Sequence, residues 1–163
     1  MSDNYPVLVA PASLPSIREQ ADRLRCYLAE DSNEFNEAWL EEQQRKLNAV
    51  HSYIRDKKLR AELSHCQRWV EIRIGEWLGP AKPPEETGGM RSSPGNDLER
   101  VINDRHKHEF RFLAENKGIL RAILEDHKGV KITRAALLRL AAWQEALAKS
   151  LKWKFQNLNS ISA

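Results

Sequence analysis

Apolar residues recur at intervals of three and four positions along most of the chain, and this spacing is typical of amphipathic helices. Three such series occupy the first half. They run Ile17, Ala21, Leu24, Leu28; then Phe35, Trp39, Gln43, Leu47, Val50, Ile54, in which Gln43 is the one polar member; and then Leu59, Leu63, Cys66, Val70, Ile74, Trp77. Because one face of an α-helix repeats at this interval, the series predict an all-α protein.

Residues that begin or end helices separate these series. Ser13 followed by Pro15 predicts a helix start, because Ser caps a helix and Pro is tolerated in the first turn. The segment Asp31–Asn33 consists of good caps and predicts the start of the second helix. Gly79 and Pro80 predict the end of the third helix, since Gly readily adopts the left-handed cap conformation.

The segment between the second and third series leaves two arrangements open. Arg55–Lys58 contains neither Gly nor Pro, so one long helix from about Asn33 to Leu78 is one arrangement. A tight turn that joins two antiparallel helices is the other. A single long helix would need a second chain to cover its apolar face, which predicts a coiled-coil homodimer. The core of a monomeric bundle would give the same apolar series.

A Pro- and Gly-rich segment divides the chain. Residues 80–96, PAKPPEETGGMRSSPGN, hold four of the seven prolines and three of the seven glycines, which predicts a linker. The predicted organisation is an N-terminal tail at 1–12, a helical hairpin or coiled-coil dimerisation region at 13–79, this linker, and a basic helical bundle at 97–163.

The net charge of +3 conceals an uneven distribution. Residues 1–79 carry 11 Lys and Arg against 13 Asp and Glu, a net charge of −2. Residues 80–163 carry 15 against 10, a net charge of +5. The small total excludes a wholly basic nucleic-acid coat protein and an acidic disordered chain. The asymmetry points to an acidic partner for the second half, of which nucleic acid is the commonest.

The second half has the pattern of a helix-turn-helix. Asp97–Ile102 predicts a short amphipathic helix, and Asn103 and Asp104 can cap the basic helix that follows at 105–115. Thr133 is expected to cap a long last helix. The apolar face of that last helix comprises Ala136, Leu137, Leu140, Ala141, Leu147 and Leu151.

A short helix, a turn and a basic second helix fit the major groove of DNA. Lys and Arg contact phosphates there, whereas Arg and Asn can also read base edges. Lys107 and Arg111 are one helical turn apart and could hold a phosphate between them. The predicted DNA-binding residues are Arg100, Asn103, Arg105, Lys107, His108 and Arg111. The solvated face of a small helical bundle is the alternative interpretation.

Part of the chain resembles a recurrent segment of phage and mobile-element proteins. The matching features are an EIRxxGExL motif at Glu71–Leu78 (EIRIGEWL), the glycines Gly88 and Gly89 in the following linker, and the sequence ITRAALLRLA at 132–141. Between the linker and this last helix the pattern is similar to the helix-turn-helix of partition-type DNA-binding proteins. The resemblance covers about residues 47–142.

The resemblance implies a DNA-associated protein of phage or prophage origin, without a defined reaction. The chain departs from the pattern at the turn before the recognition helix. Related segments carry a Gly-Ile-Ser type sequence there, whereas this chain has Val101–Asp104. Asp104 would repel a phosphate at the start of the helix, although it also suits a capping position.

The sequence does not supply a complete catalytic or metal site. His106 and His108 are two positions apart, which places them on different faces of a helix. Cys26 and Cys66 have neither the spacing nor the neighbouring histidines of a zinc site, and we interpret them as buried thiols in a reducing compartment. The prediction is a protein that is not an enzyme and uses neither a metal nor a cofactor.

The chain is expected to be cytoplasmic and to have no membrane partner. No stretch approaches the roughly 18 to 20 apolar residues of a membrane span. The apolar run Val7–Ala10 follows no basic segment and is too short for a secretory signal.

The tryptophans give further expectations about the core. Trp39 and Trp77 lie on apolar series and are expected in the core, and Trp69 lies beside the third series. Trp153 is surrounded by lysines in KSLKWKF at 149–155. We expect Trp153 to dock on the protein, because Trp is usually well buried; stacking on nucleic-acid bases is the alternative.

Two functions from different classes follow from the sequence. The first is a non-enzymatic, dimeric DNA-binding protein of phage or mobile-element origin, which acts in regulation, replication or partition. The second is a phage-encoded inhibitor or adaptor that binds a host or defence protein through exposed apolar residues of the first half. A helix that exposes Trp39 or Trp69 would support the second function.

Overall fold

The computed structural model describes residues 14–81 and 102–161, with side chains described from Ser16 to Trp153. These residues form six helices and no strands, which confirms the predicted all-α class. The helices are α1 (Leu14–Ala29), α2 (Glu37–Tyr53), α3 (Lys57–Leu78), α4 (Asp104–Glu115), α5 (Lys117–Asp126) and α6 (Arg134–Ile161).

Several predicted features lie outside the described residues. They are the tail at 1–12, the linker at 80–96 beyond residue 81, Arg100, and the first helix of the helix-turn-helix up to residue 101. Of that predicted helix the structure describes Ile102, which is buried. The helix-turn-helix and the linker therefore stay predictions.

Local side-chain caps set the starts of the helices. Asn103 Oδ1 accepts a hydrogen bond from His106 N at 2.9 Å, and Thr133 Oγ1 accepts one from Ala136 N at 3.2 Å. Both caps were predicted. The predicted cap of α2 within Asp31–Asn33 is wrong, because Asn36 fills that position. Asn33 instead donates its side-chain amide to the Tyr27 carbonyl at 2.9 Å.

The continuous helix from Asn33 to Leu78 does not form. The chain leaves α2 after Tyr53 and adopts extended geometry at Ile54 and Asp56. Asp56 then caps α3 by accepting a hydrogen bond from Leu59 N at 2.7 Å. Asp56 was not among the caps predicted from the sequence, although Asp at this position readily stops one helix and starts another.

Helix α3 is the central element, because α1, α2 and α4 all pack against it. Fourteen of its 22 residues are buried, which is far more than one apolar face of a helix. The surplus includes the polar residues Arg68, Glu71 and Arg73. A helix enclosed in this way must pair its buried charges within the protein, since water cannot reach them.

One hydrophobic cluster joins the two halves of the chain. Leu24 and Trp69 from the first half belong to the same cluster as Phe110 and Leu137 from the second half. The first three apolar series largely face this cluster, so the chain itself covers the surfaces that a coiled coil would present to another chain. Trp39 is buried as predicted, and Trp77 is partly buried against the cluster.

Close contact between α3 and α4 depends on Gly75, the glycine of the EIRxxGExL motif. A Cβ atom on Gly75 would overlap the carbonyl group of Phe110 and would lie 2.9 Å from Ala114 Cβ. The backbones of the two helices therefore approach more closely than any side chain at position 75 allows. A second glycine, Gly118, lies in the first turn of α5.

Helix α6 extends past the helices that support it. Leu137 and Ala141 are buried, whereas the exposed fractions are 42% for Leu147, 48% for Leu151 and 66% for Trp153. The predicted docking of Trp153 is therefore wrong. With 28 residues α6 outruns α4 and α5, which have 12 and 10 residues. Neither α6 nor any other helix among the described residues is long and apolar enough to cross a membrane.

Candidate nucleic-acid interface

The predicted DNA-binding residues occupy different environments on α4. The side chain of Arg105 is 86% exposed, and His108 is also exposed. Asn103 uses its side-chain oxygen as the helix cap. Lys107 is mostly covered and lies 3.3 Å from Asp104, while Arg111 Nε donates to the Gly79 carbonyl at 2.9 Å. Lys107 and Arg111, the two residues expected to hold a phosphate, therefore both contact other groups of the protein.

A groove opens between α4 and the first turns of α6. Its volume is about 580 Å³. The lining residues are Arg105, His106 and Glu109 from α4, and Arg134, Ala135, Leu138 and Arg139 from α6. The groove therefore places one predicted DNA-binding residue, Arg105, beside two arginines that the sequence reasoning missed. Arg105 and Arg134 are about 30 residues apart, and no local spacing connects them.

A chain of ion pairs leads from the core to this groove. Buried Arg68 pairs with buried Glu71, with 2.8 Å between Arg68 Nε and Glu71 Oε2. Glu71 also accepts a hydrogen bond from Arg134 Nη2 at 2.6 Å. Arg134 Nη1 then donates to Glu109 at 3.2 Å, and Arg105 Nε donates to the same carboxylate at 3.1 Å. Three arginines share two carboxylates, so the chain keeps one positive charge in excess.

The ion pairs favour the charged forms of the Glu109 and Arg134 side chains in the groove. Burial alone would raise the pKa of Glu109, but hydrogen bonds from Arg105 and Arg134 outweigh it and hold that pKa below its usual value. Burial likewise opposes the charge of Arg134, yet its bonds to Glu71 and Glu109 raise the Arg134 pKa. Glu109 is therefore an anion near neutral pH, and its charge is already shared by two arginines.

The start of each helix adds positive potential to the groove. Helix α4 begins at Asp104 and α6 at Arg134, and the first turns of both helices contribute residues to the lining of the groove. The backbone N–H groups of a first helical turn carry partial positive charge and favour anions. Asp104 acts in the opposite direction, because its side chain is fully exposed at the start of α4.

A second polar cluster has a structural role. Asp31, in the connection between α1 and α2, accepts hydrogen bonds from Lys117 at 2.9 Å, Arg121 at 2.8 Å and Arg73 at 3.3 Å. The bond from Lys117 makes the largest contribution, and with Arg121 it lowers the pKa of Asp31 to about 2. Glu76 also pairs with Arg73 and Lys117, so the cluster uses its cations on two carboxylates of the protein and holds these segments together.

An open depression next to this cluster has mixed charge. Its volume is about 570 Å³, and its charged lining residues are Arg25, Glu30, Asp31, Arg121, Glu125 and Lys128. Three cations therefore face three carboxylates. The α4–α6 groove, with three arginines and one glutamate, is the more favourable of the two surfaces for a phosphate.

The cysteines and histidines do not form a metal site in the part of the chain that the structure describes. No group of three or more His, Cys, Asp or Glu residues there could hold a metal ion. Cys66 is buried, donates its Sγ–H to the Ala21 carbonyl at 3.2 Å, and has a pKa raised to about 12 by burial. Cys26 was predicted to be buried but is exposed, because Leu24 and Leu28 occupy the inward face of α1.

The two tryptophans whose exposure would have supported a protein-binding adaptor are buried. Trp39 is 6% exposed and Trp69 is 1% exposed, so neither is presented on the first half of the molecule. Trp69 instead contacts the guanidinium groups of Arg73 and Arg121, at 5.8 and 5.7 Å from the ring centroid. Exposure of Trp39 or Trp69 would have supported an adaptor function, and the structure does not provide that support.

Comparison of the chain with protein-family models, with curated proteins and with solved structures found no match. The resemblance to phage and mobile-element proteins consequently stays a prediction that depends on the motifs in the sequence.

Proposed function

We propose that this protein binds DNA without catalysing a reaction, and that it grips the phosphate backbone in the groove between α4 and α6. The observation that carries the proposal is the convergence of Arg105, Arg134 and Arg139 on one open surface. Arginine binds phosphate oxygens through a planar set of N–H donors and keeps its charge at every physiological pH. Arginine–phosphate contacts alone are enough to bind DNA without preference for its sequence.

The three arginines have different parts in this proposal. Arg134 forms ion pairs with Glu71 and Glu109, which hold its positively charged guanidinium group in one place in the groove. Arg105 and Arg139 lie at the exposed surface and are the side chains that would reach a phosphate. His108 is exposed on the same helix as Arg105 and would contact DNA next to the groove.

The proposal also includes the arrangement predicted from the sequence. In it, a helical hairpin is followed by a linker and a helix-turn-helix-like bundle, and α4 is the basic second helix of that motif. An origin in a phage or mobile element belongs to the same proposal. It is supported by the sequence motifs at Glu71–Leu78 and 132–141.

The salt dependence of DNA binding tests the groove. Fluorescence anisotropy with a labelled duplex, between about 50 and 200 mM salt, gives the slope of log K against log salt. The double variant Arg105→Ala with Arg139→Ala should weaken binding and reduce the slope by about one to two, because each lost phosphate contact removes roughly one unit. The matched control, Arg23→Ala with Arg45→Ala, removes two exposed arginines from α1 and α2 and should have a much smaller effect.

Two outcomes would contradict the proposal. One is a full chain that shows no salt-dependent binding to duplex DNA. The other is a groove variant with the same slope as its control. The pair Lys107→Ala with Arg111→Ala tests the contacts first predicted from the sequence. If the groove is the site, this pair should change the slope less than the groove variant does, because neither side chain lines the groove and both are partly covered.

The inhibitor or adaptor function stays the alternative. Trp39 and Trp69 are both buried, so the observation that would have supported this function is not made. Recovery of a host protein with the native chain, together with no binding to DNA, would favour this alternative.

A further inference from the structure

Positively charged side chains surround the turn between α2 and α3. The four cations of this turn, which are exposed or partly exposed, are Arg55, Lys57, Lys58 and Arg60. The carboxylates closest to them in sequence, Asp56 and Glu62, each lie 3.6 Å from Arg18 of α1. Within the described part of the chain, none of the four cations forms an ion pair, so their charge stays available to an external partner.

The loop between α5 and α6 brings a fifth cation to this surface. Ile132 N donates a hydrogen bond to Ser64 Oγ at 3.2 Å, which anchors the loop on α3. Lys131, the residue before Ile132, is exposed and has no ion pair among the described residues. Since Ser64 is four positions after Arg60, the loop holds the backbone at Lys131 about one helical turn from Arg60. We call Lys131 and the four cations of the α2–α3 turn the turn patch.

His51 of α2 lies close to the charges of the turn patch. Burial lowers the pKa of His51, and the positive charges of Arg60 and Lys131 lower it further. His51 Nε2 is buried and has no hydrogen-bond partner among the described residues. Residues from α2, α3 and the α5–α6 loop therefore meet at one positively charged surface.

The turn patch is continuous with the α4–α6 groove. Lys131 is three residues before Arg134, which lines the groove, so their backbones are at most about 10 Å apart. Along α3, Glu71, the ion-pair partner of Arg134, lies eleven positions after Arg60, which corresponds to roughly 16 Å. One strand of B-DNA carries a phosphate about every 3.4 Å along the helix axis, so this length spans about five phosphates. A single duplex can therefore contact the groove and the turn patch together.

The side chains at the turn patch favour a nucleic-acid backbone as its partner. A membrane surface is bound by a helix with an apolar face beside its cations. At the turn patch, the exposed large apolar side chains of the described residues are Tyr53 of α2 and Val130 of the α5–α6 loop, which lie on separate elements. Tyr53 is 84% exposed, and a tyrosine hydroxyl can donate to a phosphate. Cations spread over this length match a row of phosphates better than they match one small anion.

We propose that the turn patch is a second phosphate-contact surface, and that DNA held in the α4–α6 groove continues across Lys131 and Arg60 to the turn between α2 and α3. This proposal rests on the proposed function, because both surfaces would hold the same duplex. It extends DNA binding to the first half of the chain, whose net charge of −2 gave no indication of a phosphate contact.

The salt dependence of binding tests the turn patch separately from the groove. The variant Arg60→Gln with Lys131→Gln removes two charges and keeps a polar side chain at each position. In anisotropy titrations with a labelled duplex of about 20 base pairs, it should reduce the slope of log K against log salt by about one to two. The control Arg23→Gln with Lys152→Gln removes one exposed arginine from α1 and one exposed lysine from α6, and it should change the slope by less than about 0.5.

A second measurement uses the unmodified full chain, so it does not require a variant to fold. The lysines are acetylated with an N-hydroxysuccinimide ester, and the modified sites are quantified by mass spectrometry. Bound duplex should slow acetylation of Lys57, Lys58 and Lys131 at least about threefold, because each would lie against phosphates. Lys152 should react at the same rate with and without DNA.

The possible results distinguish failure of the turn patch from failure of the proposed function. A full chain without salt-dependent binding to duplex DNA overturns both. If Arg105→Ala with Arg139→Ala reduces the slope but the turn-patch variant behaves like its control, the turn patch alone is overturned. Unchanged acetylation of Lys131 in a complex with DNA has the same meaning. Protection of the turn-patch lysines by vesicles of phosphatidylserine and phosphatidylcholine, but not by the duplex, would assign the patch to a membrane and also overturn the proposal.

Discussion

Gly75 shows how a single residue sets the distance between two helices. It lies in the central helix, and the Phe110 carbonyl group occupies the space where a Cβ would be. Relief of that overlap would require α4 to move away from α3, and Phe110 and Leu113 would lose part of their contact with the core. The glycine was visible in the sequence as part of a motif, but its partner 35 positions later was not.

We predict that Gly75→Ala lowers the free energy of unfolding by about 3 kcal/mol, because a backbone carbonyl cannot turn aside as a flexible side chain would. Urea unfolding followed by circular dichroism measures the change. Gly118→Ala is the matched control, since no atom lies within 4 Å of a Cβ there and the residue is helical. The control should be neutral or slightly stabilising. Equal effects at the two positions would contradict a close approach of α3 and α4.

Single residues also explain why the candidate site could only be predicted in part. Asn103 and Thr133 were correctly identified as caps, because capping depends on residues within one turn of each other. Arg111 was expected to face a phosphate, but a carbonyl 32 positions earlier accepts its Nε–H. Arg134 and Arg139 were missed because only the packing of α6 on α4 brings them next to Arg105.

At the scale of the helices, Asp31 connects three elements. It lies just after α1 and bonds to Arg73 of α3 and to Lys117 and Arg121 of α5. Arg73 also donates to the carbonyls of Leu28 and Glu30, at 2.7 and 2.9 Å. Ion pairs and hydrogen bonds from α3 and α5 therefore hold the connection between α1 and α2 in place.

We predict that Asp31→Asn lowers the free energy of unfolding by about 1 kcal/mol at neutral pH, a modest value because the carboxylate is half exposed. The pKa of Asp31 is lowered from 3.8 to about 2 in the folded protein, so its contribution is complete above pH 3.8 and is lost as the pH falls towards about 2. Urea unfolding at neutral pH and near pH 2 should therefore show a difference that disappears in acid.

The control for this prediction is Asp22→Asn, which removes a single ion pair to Arg25 within α1. Its effect should stay below about 0.5 kcal/mol, as is usual for one exposed pair on a helix. A difference between Asp31→Asn and the unmodified chain that persisted at pH 2 would show that the amide acts through something other than the lost charge.

The helices themselves were well predicted, because their evidence is local. The series through Leu24, Leu47 and Val70 identified α1, α2 and α3, and even Gln43, a polar member of the second series, is buried. The expectation for Trp153 failed for a different reason. Its burial would have depended on whether another element reaches that far along α6, and the periodicity of one helix contains no such information.

At the scale of the whole molecule, the helices before and after the Pro- and Gly-rich segment share a core. The sequence placed a domain limit at residues 80–96, since Pro and Gly interrupt both helical patterns there. In the described residues, however, Phe110, Leu113 and Leu120 belong to the same hydrophobic cluster as Leu63 and Trp69. A segment rich in Pro and Gly shows where helices stop, and it does not show whether the helices on either side pack together.

We predict that the two halves remain bound to each other after the chain is cut. A protease site inserted between Gly88 and Gly89 should be cleaved to completion, and the two fragments should elute together in gel filtration, because separation would expose Phe110 and the surface of α3 that faces it. Urea unfolding of the cut protein should still show one transition at a lower urea concentration. The cut removes the covalent link that gives each half a high effective concentration for the other.

Independent domains would behave differently in the same experiment. The fragments would then elute separately, and each would keep its helical circular dichroism and unfold at its own urea concentration. An insertion of equal length that lacks the protease site controls for the added residues. This comparison decides whether residues 13–79 and 97–163 fold as one unit. The position of the α4–α6 groove depends on that unit, because Arg134 in the groove forms an ion pair with Glu71 of α3.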